Sequence, residues 1–151
     1  MKKLLILLIT MIWAFNMNAQ KIVTIATSNT SNIELTDNVY VSTNNYITFS
    51  NHYSFNDLET SITSLIYINY NSIDLQTIKI IYANDSSDII TANKLINTKA
   101  FYLNRIQRNN LKSNLIKRIK CSNGMFKHFS IEIDNNKTIE LNELAKQIFK
   151  Y

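Results

Sequence analysis

This chain has no proline and a single glycine, Gly124, among its 151 residues. Glycine adopts positive φ more readily than any other residue, and proline sets the geometry of many turns. Turns that need positive φ therefore fall to asparagine and aspartate, the next most tolerant residues. We expect turns at Asp37-Asn38, Asn44-Asn45 and Asn135-Asn136. The same shortage excludes phosphate-cradling loops and tight nucleophile turns, because both need several glycines.

The first residues have the pattern of a secretory signal peptide. Lys2 and Lys3 precede an apolar run over residues 4–15, and a short polar stretch then ends at the small residue Ala19. That run is shorter than the roughly 20 apolar residues that a membrane-spanning helix needs. We therefore predict a signal peptide over residues 1–19, cleaved before Gln20. The mature chain is expected to be exported, periplasmic or secreted, and to have no transmembrane segment.

Residues 20–151 suffice for a single domain, and neither an internal repeat nor a linker divides them. Segments rich in β-branched and apolar residues predict strands over residues 21–27, 33–35, 39–41, 46–49, 77–83 and 125–133. Apolar spacings of three and four predict helices over residues 54–69, 89–103, 111–119 and 141–148. Residues 88–120 form either one long helix or two, with Asn109-Asn110 as the expected break. The expected fold class is α+β, a mostly antiparallel sheet of five or six strands packed by three or four helices.

Positive charge is concentrated in the middle of the chain. Residues 89–131 contain nine Lys/Arg and no Asp or Glu, whereas the preceding mature segment is acidic. One interpretation is a basic face that binds a polyanion, such as an acidic envelope component or an acidic protein, through Arg105, Arg108, Lys112, Lys117, Arg118 and Lys120. The alternative is that these charges pair with the acidic first half or face solvent. Few aromatic residues interleave with the basic ones, so we expect no nucleic acid partner.

Residues with catalytic chemistry are few. Cys121 is the single cysteine, so an internal disulfide is excluded. His52 and His128 are far apart in sequence, and no cluster of His, Cys, Asp or Glu has the spacing of metal ligands. We therefore expect neither a metal nor another cofactor. A nucleophile, if the protein is a hydrolase, would be Ser113 or Cys121, with His52 or His128 as the base.

One stretch resembles a known enzyme superfamily. The stretch consists of the strand at residues 46–49, the helix after Ser54, the strand at residues 78–83, and the loop and helix at residues 84–92. This order of elements resembles the first β-α-β-loop-α unit of the Clp-protease/crotonase superfamily. In that superfamily two glycines after the strand supply an oxyanion hole, which implies hydrolase-like chemistry. Ser86 and Ser87 occupy the matching positions here. The resemblance assigns no catalytic residue to this chain, because the two glycines of the superfamily are absent here.

The leading functional expectation is a non-enzymatic exported protein that binds an unknown partner or has a structural role in the periplasm, cell envelope or secreted space. The first alternative is a small hydrolase-like enzyme that uses Ser113, Cys121 or His128. The second alternative is a polyanion-binding module that uses the basic residues of segment 89–131.

Overall fold

The computed structural model describes residues 22–28, 30–56, 59–71, 73–92, 99–124 and 127–150. The predicted signal peptide over residues 1–19 lies outside these ranges. Within them the chain forms ten strands and two helices, and every strand pairing is antiparallel. The strands make a larger, six-stranded sheet and a smaller, four-stranded sheet.

The larger sheet has the strand order β1-β2-β4-β5-β8, with the short β3 also paired to β4. Its strands are β1 (Val23–Ser28), β2 (Ser31–Leu35), β3 (Val39–Tyr40), β4 (Tyr46–Asn56), β5 (Glu59–Asn69) and β8 (Ala100–Leu103). The hairpin of β4 and β5 is its spine, because these two 11-residue strands pair along their whole length. β3 pairs with the beginning of β4, and β2 pairs with its later part.

The smaller sheet has the strand order β10-β9-β6-β7. Its strands are β6 (Thr77–Tyr82), β7 (Ser87–Thr91), β9 (Ile116–Ser122) and β10 (His128–Glu132). Both central strands, β6 and β9, alternate buried and more exposed residues. One face of this sheet therefore lies against the core, and the other faces solvent.

Two helices complete the described part of the fold: α1 (Arg105–Ser113) and α2 (Asn135–Ile148). Asn104 caps the start of α1 in a capping box with Gln107, and Asp134 caps the start of α2. Neither helix is both long enough and apolar enough to span a bilayer.

Buried asparagine side chains bind carbonyl groups at the ends of both helices. Asn142 donates to the carbonyl oxygens of Leu111 and Lys112, at 2.9 and 3.0 Å, near the end of α1. Asn51, from β4, donates to the carbonyl oxygen of Ile148 at 2.6 Å, at the end of α2. These amides satisfy carbonyls that have no partner within their own helix. A chain with one glycine thus uses tertiary amide contacts where a glycine cap is common.

A single core cluster joins the inner faces of both sheets to α2. The larger sheet contributes Ile47, Phe49, Ile66, Ile68, Phe101 and Leu103, and the smaller sheet contributes Ile78, Ile80, Tyr82, Ile119 and Cys121. α2 contacts β3, β4 and β9, so it closes the core between the sheets. The rings of Phe49 and Phe149 meet edge to face with centroids 5.4 Å apart.

The predicted fold class is wrong: the described residues form two antiparallel sheets with two helices, rather than one sheet packed by three or four helices. The helix expected over residues 54–69 is the end of β4 followed by β5. Its apolar spacing fitted a helix, but Thr60, Ile62, Thr63, Ile66 and Ile68 are β-branched and favour extended backbone. Pairing with β4 and β8 on both sides then fixes the strand.

The helical interpretation of residues 88–120 is also largely wrong. The segment contains β7, β8, α1 and the beginning of β9, and residues 93–98 lie outside the described ranges. The apolar stripe of Leu111, Leu115 and Ile119 is divided among a helix, a loop and a strand. Asn109-Asn110, the expected break, lies inside α1.

The remaining elements follow the sequence more closely. The six predicted strands each overlap an observed strand, and the C-terminal helix is confirmed as α2. Positive φ occurs at Asn71, Asp85 and Gly124 among the described residues. The residue types expected at positive φ are therefore right, although the expected positions are not. Asn135-Asn136 begins α2 instead of forming a turn between strands.

Candidate functional site

The outer face of the larger sheet carries two adjacent concave surfaces. Side chains alternate between the two faces of a strand, so the core residues Ile47 and Phe49 place Tyr46 and Thr48 on the outer face. The antiparallel register adds residues from the neighbouring strands to this face: Tyr40, Ile33, Leu35, His52, Tyr67, Asn69 and Tyr102. We call the concave part of this surface the tyrosine groove.

The first half of the tyrosine groove is polar and aromatic. It has a volume of about 620 Å³ and is lined by Tyr40, Thr43, Asn44, Tyr46, Asn69 and Asn71. The rings of Tyr40 and Tyr46 have centroids 5.6 Å apart and are tilted by 58°. Tyr40 is 51% exposed, which is unusually high for an aromatic residue. The Tyr40 ring is therefore accessible at the rim of a polar depression, with the partly exposed Tyr46 ring beside it.

The second half of the tyrosine groove is more apolar. It has a volume of about 350 Å³ and is lined by Ile33, Leu35, Asn38, Tyr46, Thr48, His52 and Tyr67. Tyr46 lines both halves, so they lie next to each other at the beginning of β4. Neither a carboxylate nor a lysine or arginine side chain lines either half.

Local hydrogen bonds hold the walls of the groove. Asn69 donates to the carbonyl oxygen of Asn44 at 2.8 Å and accepts from the Lys99 ammonium at 3.1 Å. The backbone N–H of Asn71, a residue at φ 45°, donates to the Asn45 side chain at 2.7 Å. The phenols of Tyr40 and Tyr46 have no hydrogen-bond partner within the described residues, so both remain available to a ligand.

Two buried polar atoms on the groove face lack a hydrogen bond to any described residue: Ser50 Oγ and His52 Nε2. Ser50 is 0% exposed and lies between Thr48 and His52 on the same face of β4. The Tyr67 phenol lies near the Ser50 hydroxyl without the geometry of a hydrogen bond. An unsatisfied buried hydroxyl costs about 1–3 kcal/mol, so such groups are few in native proteins and each calls for an explanation.

Burial controls the protonation of the titratable groups in the groove. It lowers the pKa of His52 below its usual range, so the imidazole is neutral at pH 7. Burial also raises the pKa of Tyr67, and the Tyr102 phenol adds to that increase. The lining of the groove is therefore uncharged at neutral pH.

The structure divides the six residues of the predicted basic face among several surfaces. Arg105, Arg108 and Lys112 lie on α1, and Arg108 donates to Ser64 Oγ at 3.2 Å. Lys117, Arg118 and Lys120 lie on β9, where Lys117 pairs with Asp85 at 3.4 Å and Arg118 pairs with Glu132. The chain does not gather these cations on one helix face. Their binding role stays a prediction.

A smaller cationic surface does form on the outer face of the smaller sheet. Lys79 of β6 lies directly opposite Lys120 of β9, and both side chains are exposed. Neither has a carboxylate within 4.0 Å among the described residues. Because like charges directly opposite each other repel, this arrangement lowers stability unless an anion binds there. The acidic Glu132 on the same face is already paired with Arg118.

The candidate nucleophiles do not meet a histidine. Cys121 is buried on the core face of β9, and burial raises the pKa of its thiol to about 12. His128 is exposed on the outer face of the same sheet, opposite Ser122. Ser113 is exposed at the end of α1. No group of three or more His, Cys, Asp or Glu side chains that could hold a metal ion occurs in the part of the chain that the structure describes.

Sequence reasoning missed the tyrosine groove because residues 54–69 were assigned to a helix. With β5 as a strand, the alternation of Leu65, Tyr67 and Asn69 places them on the face opposite Ile66 and Ile68. The signal was present in residues 46–49 and 65–69, where apolar core residues alternate with tyrosine, threonine and asparagine.

The resemblance to the Clp-protease/crotonase superfamily does not hold. It requires a helix after Ser54, and the structure has strands there, so the β-α-β order is absent. The loop at residues 84–86 is the tight turn between β6 and β7. No protein-family model, curated protein or solved structure matches this chain.

Proposed function

We propose that this chain is a non-enzymatic exported binding protein that holds its ligand in the tyrosine groove. The observation that carries this proposal is an uncharged groove lined by Tyr40, Tyr46 and Tyr67, of which Tyr40 is exposed, on the same face of the sheet as the buried Ser50 hydroxyl. Concave surfaces with aromatic lining and a few convergent polar groups are typical of ligand sites. Ser113, Cys121 and His128 lie apart, so a hydrolase mechanism receives no support from their placement.

Fragment mapping by NMR tests this function without assuming a ligand. A library of uncharged small organic fragments should perturb amide signals of Tyr46, Thr48, His52 and Tyr67 more often than those of the exposed surface of α2. Binding hot spots attract chemically varied fragments, because they combine apolar surface with unsatisfied polar groups. Perturbations spread evenly over the surface, or confined to a different surface, would contradict the proposal.

The Ser50→Ala variant tests whether the buried Ser50 hydroxyl contributes to the stability of the unliganded protein. Removing a buried hydroxyl that has no partner should leave the unliganded protein equally stable or more stable, by up to about 1 kcal/mol. Urea denaturation of both proteins measures the difference. A loss of more than about 1 kcal/mol would show that Ser50 has a structural partner and would remove this support.

Export is part of the same proposal and has its own test. Mass spectrometry of the protein recovered outside the cytoplasm of its host should find Gln20 as the first residue, because a signal peptidase cleaves after a small residue such as Ala19. Recovery of the intact chain from the cytosol would contradict export.

Polyanion binding at the outer face of the smaller sheet is a second candidate function. The observation that favours it is the exposed, unpaired and directly opposed Lys79 and Lys120. Retention of the wild type on heparin should fall steeply with salt, and the double variant Lys79→Glu, Lys120→Glu should lose it. The matched control is Arg105→Glu with Lys112→Glu, on α1. Equal retention of wild type and the Lys79/Lys120 variant would contradict this candidate.

A further inference from the structure

β4 and β5, the two long strands beneath the tyrosine groove, have no open edge to offer a ligand. β4 is paired with β5 on one side and with β2 and β3 on the other, and β5 is paired with β4 and β8. A peptide that binds by adding a strand needs an open sheet edge. The groove lies on the face of the sheet instead. Its ligand must therefore be recognised by side chains.

The charge of the residues that line the groove further limits the classes of ligand that could bind. Nucleotides, anionic lipids and acidic glycans need cations or helix N-termini to compensate their charge. The lining has neither lysine nor arginine, and the nearby Lys99 ammonium is already bound to Asn69. A cationic ligand would find no carboxylate in the lining and could be held only by cation–π contact with the tyrosine rings. A neutral ligand can use both the rings and the amides, so the lining favours a neutral ligand.

The uncharged polar side chains that line the groove are mainly those of tyrosine and asparagine. A tyrosine ring presents an electron-rich face to polarised C–H groups and carries a hydroxyl at its edge. An asparagine amide offers both donors and acceptors, so it can bind two neighbouring hydroxyl groups. Tyr40 and Tyr46 stand at the rim beside Asn44, Asn69 and Asn71. A sugar ring combines C–H faces with equatorial hydroxyls, which matches this arrangement.

The length of the groove indicates a chain of sugars rather than one sugar. From Tyr46 to His52 the groove follows six residue steps of β4, which is about 20 Å at about 3.3 Å per residue. Tyr67 and Tyr46 lie diagonally across β4 and β5, and diagonal neighbours are roughly 7–8 Å apart. Tyr40, Tyr46 and Tyr67 lie next to one another across β3, β4 and β5 at the Tyr46 end of the groove, where successive sugar rings could each contact one.

We infer that the tyrosine groove binds a neutral oligosaccharide chain, with Tyr40, Tyr46 and Tyr67 as the platforms for its sugar rings. This inference rests on the proposed function, because it names the ligand class of the same site. The apolar half, at Ile33 and Leu35, would bind the less hydroxylated face of the chain.

Isothermal titration tests the ligand class with defined probes. The neutral probes are maltohexaose, cellohexaose, xylohexaose and chitohexaose, and the charged comparison is hexagalacturonate. At least one neutral hexasaccharide should bind with a dissociation constant below about 1 mM, and the charged probe should bind at least about tenfold more weakly. Tighter binding of hexagalacturonate than of every neutral probe would overturn the inference.

Three variants place the binding at the groove. Tyr46→Ala should weaken binding about tenfold, because Tyr46 lines both halves, and Tyr46→Phe should stay within about threefold, because the ring is kept. Phe55→Ala is the control, since Phe55 is an exposed aromatic residue on the opposite face of β4. If Tyr46→Ala fails to fold, Tyr40→Ala replaces it, because Tyr40 is half exposed and outside the core.

The outcomes separate the ligand class from the proposed function. Binding that Tyr46→Ala weakens and Phe55→Ala leaves unchanged supports the inference. Binding that Tyr46→Ala or its replacement Tyr40→Ala leaves unchanged overturns it. Absence of binding by all four neutral probes also overturns it, while uncharged fragments that still map to Tyr46, Thr48 and Tyr67 would leave the proposed function standing.

Discussion

The two sheets of this protein have similar inner faces and opposite outer faces. Inside, both present isoleucines and aromatic rings to one shared core. Outside, the larger sheet presents an uncharged groove of tyrosine and amide side chains, whereas the smaller sheet presents the opposed cations Lys79 and Lys120. The inner faces are constrained by packing in the core cluster, whereas the outer-face residues lie outside that cluster. The outer faces are therefore where recognition is to be sought.

This comparison also separates residues that fold the chain from residues that could bind a ligand. Leu65 and Ala100 are buried on the groove side and do not belong to the core cluster. Ser50 is buried on the same side without a hydrogen bond to a described residue. The outer face of the larger sheet thus contains buried groups that the core does not explain. The outer face of the smaller sheet contains exposed charges instead.

The largest difference in the free energy of unfolding is expected between variants at two nearby residues of β4 that lie on opposite faces of the sheet. Phe49→Ala should lower the free energy of unfolding by about 3–5 kcal/mol, because Phe49 is fully buried against Phe149. Tyr46→Ala, three residues earlier and on the outer face, should cost about 1 kcal/mol or less. Urea denaturation measures both values. A comparable loss in the two variants would contradict the division between inner and outer faces.

The next largest loss of stability is expected when the side-chain amide of Asn51, which joins the larger sheet to α2, is removed. Asn51 donates to the Ile148 carbonyl at 2.6 Å and accepts from Ser64 Oγ at 2.7 Å, and it is nearly fully buried. Asn51→Ala should therefore cost about 1–3 kcal/mol, because it leaves a buried carbonyl and hydroxyl without that partner. The exposed Asn109→Ala on α1 is the control, with a change within about 0.5 kcal/mol. Equal stabilities of the two variants would contradict the role of Asn51.

A smaller effect should appear as pH dependence of the larger sheet. Burial lowers the pKa of His52, so below about pH 6.5 the unfolded chain takes up a proton that the folded chain resists. Stability contributed by neutral His52 is thus complete above that pH and is lost as the pH falls towards the lowered folded pKa. Wild type should lose more stability than His52→Gln between pH 7 and pH 5.5. Identical slopes in urea titrations at these pH values would contradict this account of His52.

The smallest effect should appear on the smaller sheet. Lys79→Gln should raise the free energy of unfolding by about 0.5 kcal/mol, because it removes repulsion from Lys120 directly opposite. The gain should shrink at 1 M salt, where exposed charges are screened. Lys146→Gln, in the last turn of α2, is the control and should have the opposite sign, because a cation there favours the helix dipole. A destabilising Lys79→Gln would show that the two cations do not repel.

The sequence predicted those parts of the fold that local signals decide. Short segments with β-branched residues between asparagine-containing turns gave most strands, and the amphipathic spacing of Leu141, Leu144, Ala145 and Ile148 gave α2. These signals are complete within a few residues. The long-range pairing of β5 with β4 and β8 is not local, and it overrode an apolar spacing that also fits a helix.

The candidate site could be predicted only as far as the strands were. Once β5 is wrongly assigned, Tyr67 and Asn69 cannot be placed on the face of Tyr46. The basic residues show the same limit, because residues that are close in sequence lie on different surfaces of the fold. Arg118 and Lys120 of β9 share a face with Lys79 of β6, which is distant in sequence, whereas Lys112 lies on α1. Surfaces built from several strands depend on register, and register is set by tertiary packing.

The central claim is that ligand recognition belongs to the uncharged outer face of the larger sheet. Amide chemical-shift mapping with an equimolar mixture of the four neutral hexasaccharides tests it most directly. We predict that the perturbed amides cluster on β4 from Tyr46 to His52 and on β5 around Tyr67 and Asn69. Perturbations centred on Lys79 and Lys120 would contradict it, whereas an unchanged spectrum at millimolar sugar would contradict the oligosaccharide inference alone.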